Sequence, residues 1–231
     1  MEYLLEGFRQ GILLLFSGDP EAYSAIWATV YASTLSMVCS MAIGVPLGFL
    51  LGYKKFPGKK VVRTIVDTLL SFPTVVIGLV VYAFLTRNGP LGGTGLLFTI
   101  PGMAIGQTLL GLPIIIAMTA NAVESLDKRL PMTLITLGAN PGQMMWATVL
   151  EARYSIMLAA MAAYGRIVSE VGISMMVGGN IKWHTRTITT AIALETGKGE
   201  FAVGIALGMV LLAVALLVNI GAAGLKKRAV Q

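Results

Sequence analysis

ESLDKRLPMTLITLGANPGQMMWATVLEAR, residues 124–153, is the longest polar-rich interruption in an otherwise strongly apolar chain. It reads as two short helices lying on one side of a bilayer. Pro131 suits a first helical position and Gly138 the position just past a helix end. Leu130, Leu134 and Leu137 recur at helical spacing, so residues 131–137 carry one apolar face, with Met132, Thr133 and Thr136 beside it. Asn140-Pro141 then starts a second helix: Asn140 caps, Pro141 takes the first turn, and Gln143 reaches back as in a capping box. Two capped helices in a loop amount to more than a tether.

Outward from that loop the chain is membrane in character. Of its 231 residues 56% are hydrophobic and 12% charged, and the mean hydropathy is +0.80. Soluble domains have about twice that charged fraction, so an integral membrane protein is predicted. The single cysteine, Cys39, sits in an apolar run and excludes a disulfide framework and a zinc cluster. The net charge of +6 does not point to nucleic acid, because the charges sit at the ends of hydrophobic spans. The start, Met1-Glu2-Tyr3, lacks the basic beginning and small-residue cleavage site of a secretory signal, so it is expected to be retained.

Five spans are predicted, at about residues 23–53, 61–85, 100–123, 154–177 and 201–223, in one transmembrane permease-like domain over 1–231, with the polar loop at 124–153. Residues 3–16 are amphipathic and fall short of the roughly 20 residues a span needs, so an interfacial helix is expected there. The first span repeats small residues every fourth position: Ala28, Ala32, Ser36, Ser40, Gly44, Gly48 and Gly52. Such a ridge admits a neighbouring backbone, either within the subunit or at a dimer seam. Pro46 is expected to bend this helix near one end. Ser71-Phe72-Pro73 breaks the second span, and Arg63 and Asp67 pair one turn apart at its inner end. Pro113 leaves a carbonyl free within the third span, which fits either a kink used for packing or a backbone that lines a cavity. Residues 86–99 and 182–198 are read as outside loops.

In the fourth span Arg166 and Glu170 stand four apart in an apolar stretch. Charges there are costly, so they are expected to face the bundle interior and pair. The pair reads as a structural ion pair fixing register or as a gate element. His184 has no partner at metal-ligand spacing and reads as a solvated loop histidine. Eleven Lys and Arg fall in the predicted inner loops and five in the outer ones, which orients five spans with the N-terminus out and the C-terminus in.

Several runs resemble a known family. Leu137-Gly138-Ala139, with Pro131 before it and Pro141 after it, is similar to the cytoplasmic loop of binding-protein-dependent ABC importer permeases. There a short coupling helix docks into a groove on a separate ATPase subunit. Met132, Thr133 and Leu134 stand where that family often has Glu-Ala-Ala, and Glu151 where Leu-Pro is common. Gln107, Leu112-Pro113 and Leu126-Asp127-Lys128-Arg129 resemble the same permeases. SEVGISMMVGGNI (residues 169–181), followed by TITTAIALE (187–195), resembles more narrowly the tungstate permeases of the TupB type, and the resemblance spans residues 29–225.

The resemblance implies an all-α, multi-pass permease in a prokaryotic cell membrane, working by alternating access as a lipid-embedded homodimer. Leu130, Pro131, Met132, Thr133, Leu134, Ile135, Thr136, Leu137, Gly138 and Ala139 would couple each copy to one of two ATP-binding subunits. An extracytoplasmic solute-binding protein would deliver a tetrahedral oxyanion, tungstate first, with molybdate and sulfate as alternatives. ATP and Mg would sit on the partner, this chain binding no cofactor or metal. The path of such a dianion should offer hydroxyls, amides and N–H groups rather than carboxylates. Ser71, Thr74, Gln107, Thr108, Ser169, Ser174 and Asn180 meet that description, with Pro73 and Pro113 at backbone breaks and Glu170, neutralised by Arg166, as a gate candidate.

A Walker A run, HExxH, a nucleophile elbow and a paired-carboxylate constellation are all missing from the sequence, so no catalytic residue is assigned and an enzyme is not expected. Two other readings stand beside the importer. A secondary transporter needs inverted repeats and broken helices in both halves, and no repeat is evident in five spans. A membrane scaffold needs the helices and the loop but no path.

Overall fold

The computed structural model describes Arg9, residues 19–127 and residues 129–230; of residues 131, 218 and 221–230 it describes the backbone. The interfacial helix expected over residues 3–16 lies outside the described residues, Arg9 apart, and so does Lys128. Asp19 opens the first helix, α1 (Pro20–Tyr53): its Oδ1 accepts the Ala22 N–H at 2.8 Å and Pro20 occupies the first turn. The helix continues through Pro46 to Tyr53.

Its small-residue ridge packs within the subunit, against α4 (Ile100–Glu124). A methyl group on Gly48 would stand 2.6 Å from the Ile116 carbonyl oxygen, and one on Gly52 2.7 Å from that of Ala120. Only glycine lets the two backbones come this close. Of the two readings of the ridge, the intramolecular one describes the structure. α4 is the central strut of the bundle, with most of one face buried along its length.

The second span is an elbow. α2 (Lys59–Leu70) and α3 (Thr74–Leu85) meet at 98° across Ser71-Phe72-Pro73. Pro73 has no N–H to continue α2 and disfavours helical geometry at Phe72. The N-terminal end of α2 is clamped to the C-terminal end of α4. Lys59 Nζ lies 2.9 Å from Glu124 Oε1, Arg63 pairs with Asp67 at 3.5 Å and with Glu124 at 3.6 Å, and its Nη2 also donates to Asn121 Oδ1.

Two boundaries in the polar loop need correction. α5 (Arg129–Thr136) begins two residues before Pro131, because Asp127 Oδ1 accepts the Arg129 N–H at 2.8 Å and starts the turn earlier. The expected second short helix is not separate: Asn140 and Gln143 exchange both capping-box bonds at 2.9 Å, and the helix they start, α6 (Pro141–Val168), runs on for 28 residues into the membrane. Between Gln143 and Tyr164 neither Gly nor Pro stops it. The helix that carries the fourth span therefore begins thirteen residues before the expected 154 and breaks inside the expected range, where α7 (Gly172–Gly178) departs at 59°.

The expected outside loop at 182–198 holds a helix, α8 (Ile188–Gly197). Thr187 and Thr190 form its capping box, and Ile188, Thr189, Thr190 and Ala191 are buried. α8 packs on α9 (Phe201–Val230) and is tied to α1 by the Ile188 N–H, which donates to Thr29 Oγ1 at 2.9 Å. Glu21 on α1 holds the preceding loop, 2.6 Å from both Lys182 Nζ and Arg186 Nη1. Among the described residues α1 and α4 are each long and apolar enough to cross a bilayer, and α2–α3 and α6–α7 qualify as bent pairs; the apolar part of α9 described in full, Phe201–Leu217, is shorter.

Candidate functional site: a docking helix and a broken-helix face

α5 is closed at its end by the hydrogen bonds of a Schellman turn. The Ala139 N–H donates to the Leu134 carbonyl at 2.9 Å and the Gly138 N–H to that of Ile135 at 3.0 Å, with Gly138 at φ +74°. Thr133 and Thr136 turn their hydroxyls back onto carbonyls of the same helix. Leu130, Leu134 and Ala139 are half-buried, whereas Met132, Ile135 and Leu137 are 70%, 61% and 77% exposed. α5 touches the rest of the subunit only lightly, at α6. The result is a rigid, capped helix projecting large apolar side chains into space. Met145, Trp146 and Leu150 extend this apolar surface onto the first turns of α6.

The second group of residues surrounds the break between α6 and α7. Gln107 on α4 lies at its centre, fully inside the subunit: its Oε1 accepts from Ser36 Oγ at 2.9 Å and its Nε2 donates to Ser174 Oγ at 3.2 Å. Ser174 Oγ donates in turn to the Glu170 carbonyl, which also accepts from Thr189 Oγ1 at 3.0 Å. Thr108 donates to the Ala104 carbonyl at 2.7 Å, and Ser40 to the Thr108 carbonyl at 3.3 Å. Gln107, Thr108 and Ser174, expected along a path, thus spend their polar groups on holding α1, α4 and α7 together. Ser36 belongs to this network too; the sequence reading placed it only in the small-residue ridge, because its partners lie 71 and more residues away.

Other expected path residues are open. Ser71, Pro73 and Ser169 are exposed and Thr74 is half-buried. Asn180 sits in a left-handed conformation (φ 50°) after Gly179, with its Oδ1 buried and lacking a hydrogen-bond partner. Pro113 is buried and lines an apolar groove of about 420 Å³ at the α2–α3 elbow, together with Val66, Leu69 and Phe72.

Arg166 and Glu170 divide between these environments. Glu170 is 3% exposed, and its Oε1 accepts the Ile173 N–H of α7 at 3.1 Å. Oε2 lies 3.6 Å from Arg166 Nη1, whose side chain is 48% exposed. Only the carboxylate is interior; the expectation that both charges face inward is corrected for Arg166. The Gly-rich run after Glu170 lets α7 pack without gaps: a methyl group on Gly178 would stand 2.3 Å from Met103 Sδ. Among the described residues there is no group of three or more His, Cys, Asp or Glu that would hold a metal ion.

Residues 44–231 match the family described as "Binding-protein-dependent transport system inner membrane component". This chain belongs to that family. The tungstate uptake system permease protein TupB of Campylobacter jejuni is 47% identical over 219 residues, 95% of this chain and 92% of that one. Its counterpart from Peptoclostridium acidaminophilum is 37% identical over 95% of this chain and 96% of its own. Among solved structures, a bacterial alginate ABC transporter in complex with an alginate pentasaccharide-bound periplasmic protein contains a similar chain. The TM-score is 0.78 at 20% identity, over 97% of this chain and 86% of that one. That likeness is one of fold.

Proposed function

We propose that this chain is the membrane permease subunit of an ATP-driven tungstate importer. Two copies would form a lipid-embedded homodimer, each coupled through α5 to a separate ATPase subunit that holds ATP and Mg, with a binding protein delivering the anion outside. The observation that carries this reading is α5 itself. A Schellman-closed helix that exposes Met132, Ile135 and Leu137 presents the kind of apolar patch that marks an interaction surface. The oxyanion rests on the two tungstate relatives. The placement of eleven Lys and Arg in inner loops against five in outer ones favours five spans, N-terminus out, with α5 in the cytoplasm.

The mechanism follows from the two broken pairs. Closure of the ATPase subunits would draw the two α5 helices together. α5 is continuous with α6 through only the short 137–140 connection, so the displacement passes into a 28-residue lever. The lever ends at the 59° break, where Glu170 and the Ser36–Gln107–Ser174 network fasten α7 to α1 and α4. An inward-open and an outward-open packing then differ by rigid tilts around this break and around the α2–α3 elbow. Ser71, Thr74 and Ser169 supply hydroxyls on the open side.

The test is reconstitution with the ATPase and binding-protein partners in proteoliposomes. ATP-dependent tungstate uptake is expected. Replacing residues 130–139 by a Gly/Ser linker is expected to abolish both uptake and ATPase co-purification. Uptake without ATP, or retained co-purification by the linker variant, overturns the reading.

A further inference from the structure

On the last turns of α6 before the break the exposed face changes character: after Leu158 come Ala162, Gly165, Arg166 and, at the helix end, Ser169, at helical spacing and all exposed. α3 shows what an outward membrane face looks like here: Val75, Leu79, Val80 and Phe84 are exposed on it. A stripe of small and polar residues with one guanidinium is not built for lipid, where each charge is costly. A methyl group placed on Gly165 would meet nothing within 4 Å, so space is open beside Arg166.

The Arg166–Glu170 pair is loose in a specific way. Charge-assisted hydrogen bonds close to about 2.7–2.9 Å, whereas Nη1 and Oε2 are 3.6 Å apart. Glu170 keeps one hydrogen bond without the arginine, because its other oxygen accepts the Ile173 N–H at the start of α7. When the guanidinium leaves, the buried carboxylate has no counter-charge, and that cost draws the guanidinium back. Of the 17 Lys and Arg, Arg166 is the one assigned to neither the inner nor the outer belt of loops. A dianion crossing between those belts in a homodimer meets this one cation from each copy.

We propose that Arg166 is the cationic contact for the tetrahedral oxyanion in transit, and that Glu170 is its resident competitor, holding the guanidinium until the anion displaces it. The inference rests on the importer reading above. A planar fork of N–H donors suits two oxygens of such an anion. The competing carboxylate keeps the contact weak enough to release, since a path must bind its solute and also let it go. Arg166 touches the solute; Glu170 acts through Arg166 and is a positioning residue.

The test uses the full complex with its ATPase subunits, carrying Gly165→Cys on a Cys39→Ser background. An anionic and a cationic methanethiosulfonate of similar size label the new thiol, with and without tungstate. The guanidinium beside it is expected to favour the anionic reagent by about tenfold, and tungstate is expected to slow labelling. Adding Arg166→Gln should remove both the preference and the protection, and Arg166→Lys should restore the preference with weaker protection. Adding Glu170→Gln, whose amide oxygen still accepts the Ile173 N–H, should give protection at lower tungstate concentration and slower uptake. A merely structural arginine would still set the reagent preference through its charge, but it would give no tungstate protection for Arg166→Gln to remove. A thiol that reacts with neither reagent, or protection unchanged by Arg166→Gln, overturns the proposal. ATP-driven tungstate uptake by the complex with native Gly165 and Arg166 is measured in parallel: normal uptake without protection sinks the Arg166 assignment alone, while absent uptake sinks the importer reading beneath it.

Discussion

Gln107 shows how a polar residue works within a membrane bundle. Its amide joins two hydroxyls on two other helices, Ser36 and Ser174, each of which keeps a backbone carbonyl of its own, at Ala32 and Glu170. Gln107→Leu removes the amide and leaves both hydroxyls bonded. The expected loss is therefore limited to about 0.5–1.5 kcal/mol, read as a lowered unfolding midpoint of the purified protein in detergent. Its effect on uptake should exceed its effect on stability, because the lost bonds fix α7 against α4. Equal uptake by the variant would mean the network has no part in positioning the break. The residue type was legible in the sequence, but its partners were not. Ser36 lies in the small-residue ridge, and no local pattern tells a hydroxyl that seats a helix from one that bonds across it. The same limit applies to Arg166: four-residue spacing predicted the pairing with Glu170, but not that one partner would be buried and the other half-exposed.

At the scale of elements, caps and breakers were read well because they act locally. Asn140 with Gln143, Gly138 at the end of α5, and Pro73 at the elbow all do their work within five residues, and the structure places them as their chemistry requires. What was missed is where a helix continues. Met144 onward offered no stop signal, yet the expectation was a separate short helix from Asn140-Pro141 and a fourth span starting at 154; Glu151 and Arg153, which lie between, are exposed on α6, where a helix tolerates them. α8 was missed for the opposite reason. Its Thr-rich start reads as loop until Thr187 and Thr190 are seen to cap it and Ile188 to fill the core. The α1–α4 interface gives the sharpest test at this scale. Gly48→Val directs its Cβ at the Ile116 carbonyl and the Thr119 side chain, at 2.6 and 2.7 Å. Backbone cannot step aside as a flexible side chain does. A loss of about 1–3 kcal/mol or more is expected, visible as reduced yield and a lower unfolding midpoint. A variant as stable as the parent would show that the ridge is not closed in the working protein.

For the molecule as a whole, membrane character, helical class and the capped turns of the polar loop followed from composition, charge placement and capping chemistry, each of which acts without knowledge of tertiary contacts. The break angles of 98° and 59° did not follow, because they are set by what α3 and α7 pack against. The account depends on α5 being the handle by which an external motor moves α6 and, through it, the break at Glu170. That requires α5 to lie on the cytoplasmic side. A thiol introduced by Thr133→Cys, on a Cys39→Ser background, tests it most directly, since Thr133 is exposed and its helix is otherwise uncovered. The account predicts that a membrane-impermeant maleimide labels this thiol in inside-out vesicles but not in intact cells, and that bound ATPase subunit shields it. Labelling from outside intact cells would contradict the account from its topology upward.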